Sequence, residues 1–162
     1  MCEVRERCRF LCKSPIATLS DMLADKKALT LAVAKRIAAA AEQEAIKNNW
    51  NMFIAIVDDG GNLMFLERMD DSQLASLEVS IAKARSALLF KRPTKALEDA
   101  VSAGRIAVMK LANAVPVEGG VPLMAYGQIV GAIGVSGATS PQDGIVAKAG
   151  VDELESILEG VK

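Results

Sequence analysis

Histidine is absent from this 162-residue chain. It is the side chain whose ordinary charge change falls near neutral pH, and it is the commonest metal ligand. Its absence excludes Ser-His-Asp and Cys-His nucleophile arrangements, the usual zinc sites and the most familiar axial ligand of haem iron. Aromatic residues make up only 4% of the chain, so the core must be aliphatic. Charge of one sign is also lacking: 19 basic and 20 acidic side chains leave a net charge of −1. Nucleic acid and anionic membranes are therefore not expected partners. No apolar run approaches the roughly 18 residues that a membrane span needs. Nothing near the start resembles a secretory signal, and a cytoplasmic protein is expected.

Cysteine is confined to Cys2, Cys8 and Cys12. Structural zinc and iron–sulfur sites normally take four protein ligands, so no metal site is expected here. Residues 1–28 read as an extension. Val4, Cys8, Leu11 and Cys12 recur at helical spacing before Ser14-Pro15 breaks the pattern. The extension is either a flexible leader or a short amphipathic helix, and residues 1–21 could dock on a microcompartment shell or another partner. Residues 29–162 form the expected domain. Apolar residues account for 51% of the chain, enough for one full core.

Thr30 is a fair N-cap for a helix over about 31–48, with an apolar stripe of Leu31, Ala34, Ile37, Ala38, Ala41, Ala45 and Ile46. MFIAIV at 52–57 is a strand covered on both faces. Asp58 to Asn62 form a turn, and LMFLERM at 63–69 is the return strand. A helix over about 72–90 buries Leu74, Leu77, Ile81, Ala84 and Leu88, and Lys83 and Arg85 leave that face. Thr94 caps a short helix to about Val101, and another helical piece covers about 105–113. Three extended pieces follow: Val115 to Glu118, Val121 to Tyr126, and Gln128 to Ser136. Ser140 caps a final helix to about Glu159, with Pro141 in its first turn and Asp143 at the capping-box position. The order predicts an α/β protein of the α+β type, with five antiparallel strands flanked by helices.

Two glycine-bearing stretches could carry binding. In the strand Gln128 to Ser136, alternation places Val130, Ala132, Gly134 and Ser136 on one nearly bare face. That face must accept either a packed helix or a ligand. Ser136, Gly137 and Thr139 lead from it into the start of the last helix, where free N–H groups suit a carboxylate or phosphate unless Ser140 and Asp143 cap them. Glu118, Gly119, Gly120 and Pro122 form either a pocket rim or a kink between strands. Arg92 can clamp an acidic ligand. Asp58 and Asp59 could act as an acid–base pair, but their place beside two glycines favours a turn. Spacing gives no support for Ser136 with Lys83 as a nucleophile pair.

The segments AEQEAIKNNW, IAIVDDGGNL, ERMDDSQLAS, FKRPTKALE, VEGGVPL and GQIVGAIGVSGATSPQD occur in this order. With them the chain, from about Leu29 to Leu158, resembles the GlcG/HbpS family. That family also contains the C-terminal domain of PduO-type corrinoid adenosyltransferases. KNNW, DDGGNL and VEGGVPL place the nearest likeness in the branch associated with glycolate-utilisation operons. The resemblance implies a profilin-like fold, assembly into homo-oligomers and, in several members, haem binding. Family members often carry a histidine after the first strand, where this chain has Asn62. Haem would have to be held by Met, Tyr126, Lys, Cys or a hydroxyl. The expected function is an oligomeric accessory protein of a catabolic operon or microcompartment that binds haem, a corrinoid-like cofactor or a small carboxylate. The alternatives are a histidine-independent enzyme acting on a small organic acid, and a scaffolding component.

Overall fold

A computed structural model describes residues 25–160. The expectations for residues 1–21, including Cys2, Cys8 and Cys12, lie outside the described residues. The elements in chain order are α1 (Leu31–Lys47), β1 (Phe53–Asp58), β2 (Leu63–Arg68), α2 (Ser76–Phe90), α3 (Lys95–Ser102), a 3-10 turn (Ile106–Lys110), β3 (Gly120–Ala125), β4 (Gln128–Ser136) and α4 (Ser140–Glu159). The strands form one antiparallel sheet in the order β2-β1-β4-β3. The sheet therefore has four strands among the described residues, not five. Val115 to Glu118 is loop, because its groups bond elsewhere. Val115 N–H donates to Ser86 Oγ at 3.0 Å, and Glu118 N–H donates to the Glu98 carboxylate.

Helices α1 and α4 pack on one face of the sheet. There Ile37, Ile54, Ile56, Leu123, Ile133 and Val146 form the main core, each fully buried. Burying each such side chain is worth about 1.5–3 kcal/mol. Helix α2 covers the other face with a smaller cluster that includes Val57, Ala84, Leu88 and Ala132. Strand β1 is buried from Phe53 to Val57 because both faces are covered. Thr30 caps α1 as expected, accepting from Val33 N–H at 3.4 Å. Leu31 and Ile46, assigned to the buried stripe, are instead 49% exposed, since they flank the alanine ridge that meets the sheet.

Helix α2 departs most from its apolar pattern. Its buried face is Ser76, Ser80, Lys83, Ala84, Ser86, Ala87 and Leu88, whereas Leu74 precedes the helix and is 70% exposed. The cause lies in the sheet. A Cβ on Gly134 would collide with the backbone of Ser80 and Ala84, and one on Gly120 with the backbone of Lys83. The bare strand face accepts a packed helix at van der Waals distance, so only small side chains fit between them.

Alternation fails once in β4. Pairing with β3 runs Leu123 to Gly131 and then Met124 to Ile129, skipping Val130. This bulge puts Val130 in the α1/α4 core, away from Ala132 and Gly134, and turns Ile129 toward α2. The β3–β4 turn is Tyr126-Gly127, with φ of 49° and 77°. Positive φ at both central residues matches the twist of a tight hairpin.

Candidate functional site

Most of the binding residues expected from sequence converge around one buried ion pair. Lys83 Nζ lies 2.6 Å from Asp143 Oδ2 and 3.1 Å from the carbonyl of Val135. Both side chains are almost fully enclosed. Lys83 thus belongs to the buried face of α2, correcting its assignment to the outside. Asp143 Oδ1 accepts from Ala138 N–H at 3.1 Å. Burial pushes the Asp143 carboxyl above its ordinary range, opposed by the Lys83 hydrogen bond and charge and by N–H bonds from Ala138 and Gly137.

Gly119, with φ of 123°, packs against Lys83 Nζ, Asp143 and the Val135 carbonyl. Gly120 N–H donates to Thr94 Oγ1 at 2.9 Å, and Gly120 O accepts from Thr94 N–H at the same distance. Thr94 is consumed by that bridge instead of capping α3 with its side chain. Glu118 lies against Gly144 at the start of α4. Burial raises its carboxyl above the ordinary value, with Lys95 opposing and Glu98 adding to the rise.

Thr139, not Ser140, is the N-cap of α4, and Gln142, not Asp143, completes the capping box by accepting from Thr139 N–H at 3.1 Å. The N–H groups expected to face a ligand are thus met by Gln142 and Asp143 of the chain itself. Ser136 is 5% exposed and donates to Ser76 Oγ at 3.2 Å, apart from the Lys83 amine. Pro122 is buried within β3. Arg92 stays out of the cluster: it is exposed, and its Nε donates to the Phe90 carbonyl at 3.1 Å.

A cavity of about 610 Å³ opens elsewhere, at the end of the sheet where both hairpins turn. Its apolar wall is Leu88 and Leu89 from α2, Met124 from β3 and Ile129 from β4. Lys26, Asp59, Lys91 and Gln128 supply the polar rim. Two devices shape it. Asp58 Oδ1 accepts from Gly60 and Asn62 N–H, each at 2.8 Å, and locks the β1–β2 turn. Gln128 then ties down the irregular segment that enters α1, accepting from Lys27 N–H at 3.3 Å and donating to the Asp25 carbonyl at 3.2 Å. Lys26, on that segment, pairs with Asp59. Sequence reasoning missed this cavity because its wall requires the β4 bulge and the end of α2 to meet, and neither leaves a local motif. The available signal was Met124, an apolar residue that stays 46% exposed between the buried Leu123 and Ala125.

Fold and cavity together define a small α+β protein with a ligand-sized, partly apolar chamber at the turn end of its sheet. The chain belongs to the HbpS-like family, described as haem degrading protein HbpS-like, whose model matches residues 29–152. It is 48% identical over 111 residues to protein GlcG of Escherichia coli strain K12, covering 68% of this chain and 83% of that protein. Protein ORFY of Klebsiella pneumoniae has a similar crystal structure: 32% identity, TM-score 0.74, 82% of this chain and 95% of that one. The structure of a PduOC:haem complex is similar at 27% identity and TM-score 0.72, covering 78% and 95% of the two chains. Among the described residues no helix is long and apolar enough to cross a membrane.

Proposed function

We propose that this protein is an accessory protein that binds a haem-type tetrapyrrole in the chamber at the turn end of the sheet. The observation that carries the reading is the lining itself. Leu88, Leu89 and Ile129 offer an apolar wall to a flat macrocycle, and Lys26 and Lys91 offer cations to its carboxylates. The volume of about 610 Å³ lies within the ordinary range for ligand sites. When bound, haem would supply an iron centre whose chemistry depends on its axial ligand.

The competing readings draw less support. A small carboxylate at the start of α4 would meet groups already engaged with Asp143. A histidine-independent enzyme would need a free acid–base pair, but Asp58 is engaged by its turn and Lys83 by Asp143. Ile106, Met109 and Leu111 expose apolar side chains after α3, which suits the homo-oligomer implied by the family likeness. Service to a catabolic operon or microcompartment completes the proposal.

Native mass spectrometry of protein purified from its own cytoplasm reports assembly and retained ligand together. Titration with haem, cobalamin and glycolate then separates the ligand classes. Saturable haem binding is the expected result, weakened by Leu88→Glu in the wall. If haem fails to saturate, the proposal fails.

A further inference from the structure

We infer that Met124 is the side chain that ligates the iron of haem bound in this chamber, through its thioether sulfur. This rests on the reading above and names the ligand within it. The chain has no histidine, so among the described residues the candidate donors are the side chains that line the chamber. Among the described residues, five lining side chains carry heteroatoms: Lys26, Asp59, Lys91, Met124 and Gln128. Lys26 and Asp59 are paired with each other. Both polar atoms of the Gln128 amide are held by the backbone of Lys27 and Asp25. Lys91 stands on the polar rim, where the reading above assigns it to the haem carboxylates. Tyr126 lines a different, apolar hollow with Leu154 and Leu158. The Met124 sulfur remains: uncharged, soft, and of a type that serves as an axial ligand to haem iron.

The sheet aims it there. Gly120, Pro122 and Met124 alternate onto the α2 face of β3, and Met124 pairs across the strands with Ile129, which the bulge has turned to the same side. The thioether therefore stands beside the apolar wall, next to a residue that would touch the macrocycle.

The test is haem titration of the full chain followed by absorption and electron paramagnetic resonance spectra. Wild-type protein is compared with Met124→Leu, Met124→His and Met109→Leu, the last an exposed methionine outside the chamber. The sulfur-to-iron charge-transfer band should appear in wild type and Met109→Leu and vanish in Met124→Leu, which still takes up haem. Met124→His should replace it with the spectrum of ferric haem held by a single histidine. A band that survives Met124→Leu, a thiolate-type spectrum, or haem binding by wild type without the band would each overturn the assignment while leaving haem binding intact. Absence of saturable binding by wild type would instead sink the functional reading, and the ligand assignment with it.

Discussion

Lys83 and Asp143 form an ion pair sealed inside the protein, with Nζ 2.6 Å from Oδ2 and the side chains 1% and 3% exposed. The pair joins the middle of α2 to the first turn of α4 past the edge formed by β3 and β4. Mutual attraction offsets the cost of taking both charges out of water only because Lys83 also donates to the Val135 carbonyl and Asp143 also accepts from Ala138 N–H.

Breaking one half of the pair should therefore cost more than removing both. Lys83→Met leaves a buried carboxylate without its cation and should destabilise the fold by about 3–5 kcal/mol. Lys83→Met with Asp143→Asn should recover much of that loss. Urea denaturation of the three proteins measures it. A double variant less stable than Lys83→Met would count against the pair as described.

Two carboxylates should respond to pH in opposite directions. Asp143 has its carboxyl raised, burial being the main cause, so its contribution is full below its unfolded value near 3.8 and declines as pH rises through the folded value. Asp58 has its carboxyl lowered; burial works upward, but hydrogen bonds from Asn62 and Gly60 outweigh it. Its contribution is present above the unfolded value and is lost as pH falls through the folded one. Stability profiles taken on both sides of the ordinary value of 3.8 should lose their acid-side fall in Asp58→Asn and their decline on rising pH in Asp143→Asn. Equal slope changes in both variants would contradict this.

Close approach of α2 to the sheet should make Gly134 intolerant of a methyl group. Its Cβ would meet backbone atoms of Ser80 and Ala84, which cannot rotate away. Gly134→Ala should cost about 1–3 kcal/mol or more. Gly160→Ala, whose Cβ meets its nearest neighbour at 3.5 Å, should stay within about 0.5 kcal/mol of wild type. Thermal melts of the two variants give the comparison.

The outline of the fold was legible from periodicity and turn chemistry. Thr30, the Asp58 to Asn62 turn and Tyr126-Gly127 mark element ends by local rules, and β1 announces its double burial by an unbroken apolar run. The face of α2 was not legible, because apolar periodicity counts Leu74 and Leu77 and ignores Ser76, Ser80 and Lys83. Those residues are buried by what faces them, the glycines of β3 and β4, and that pairing is long-range. Glu118, Gly119, Gly137 and Thr139, singled out in the sequence as binding candidates, lie around Lys83 and Asp143, while Ser136 bonds to Ser76. Their glycines serve close packing, however, and Arg92 points elsewhere. The chamber was invisible in the sequence because a bulge shifts alternation without any special residue at Val130.

That bulge makes the chamber a matter of parity. A strand sorts its side chains by odd and even count, and the single uncounted residue of β4 resets the sorting between Gly131 and Ile129. Everything toward Ser136 keeps its assignment to core or helix, while the stretch toward the hairpin exchanges inside for outside. Drawing the strand straight without removing a residue would send Ile129 toward the α1/α4 side and take it from the wall beside Met124, whereas deleting Val130 would leave Ile129 in the wall and empty its place in the α1/α4 core. Chamber and core thus share one extra residue: it lets Val130 fill the core while Ile129, its neighbour, lines the wall.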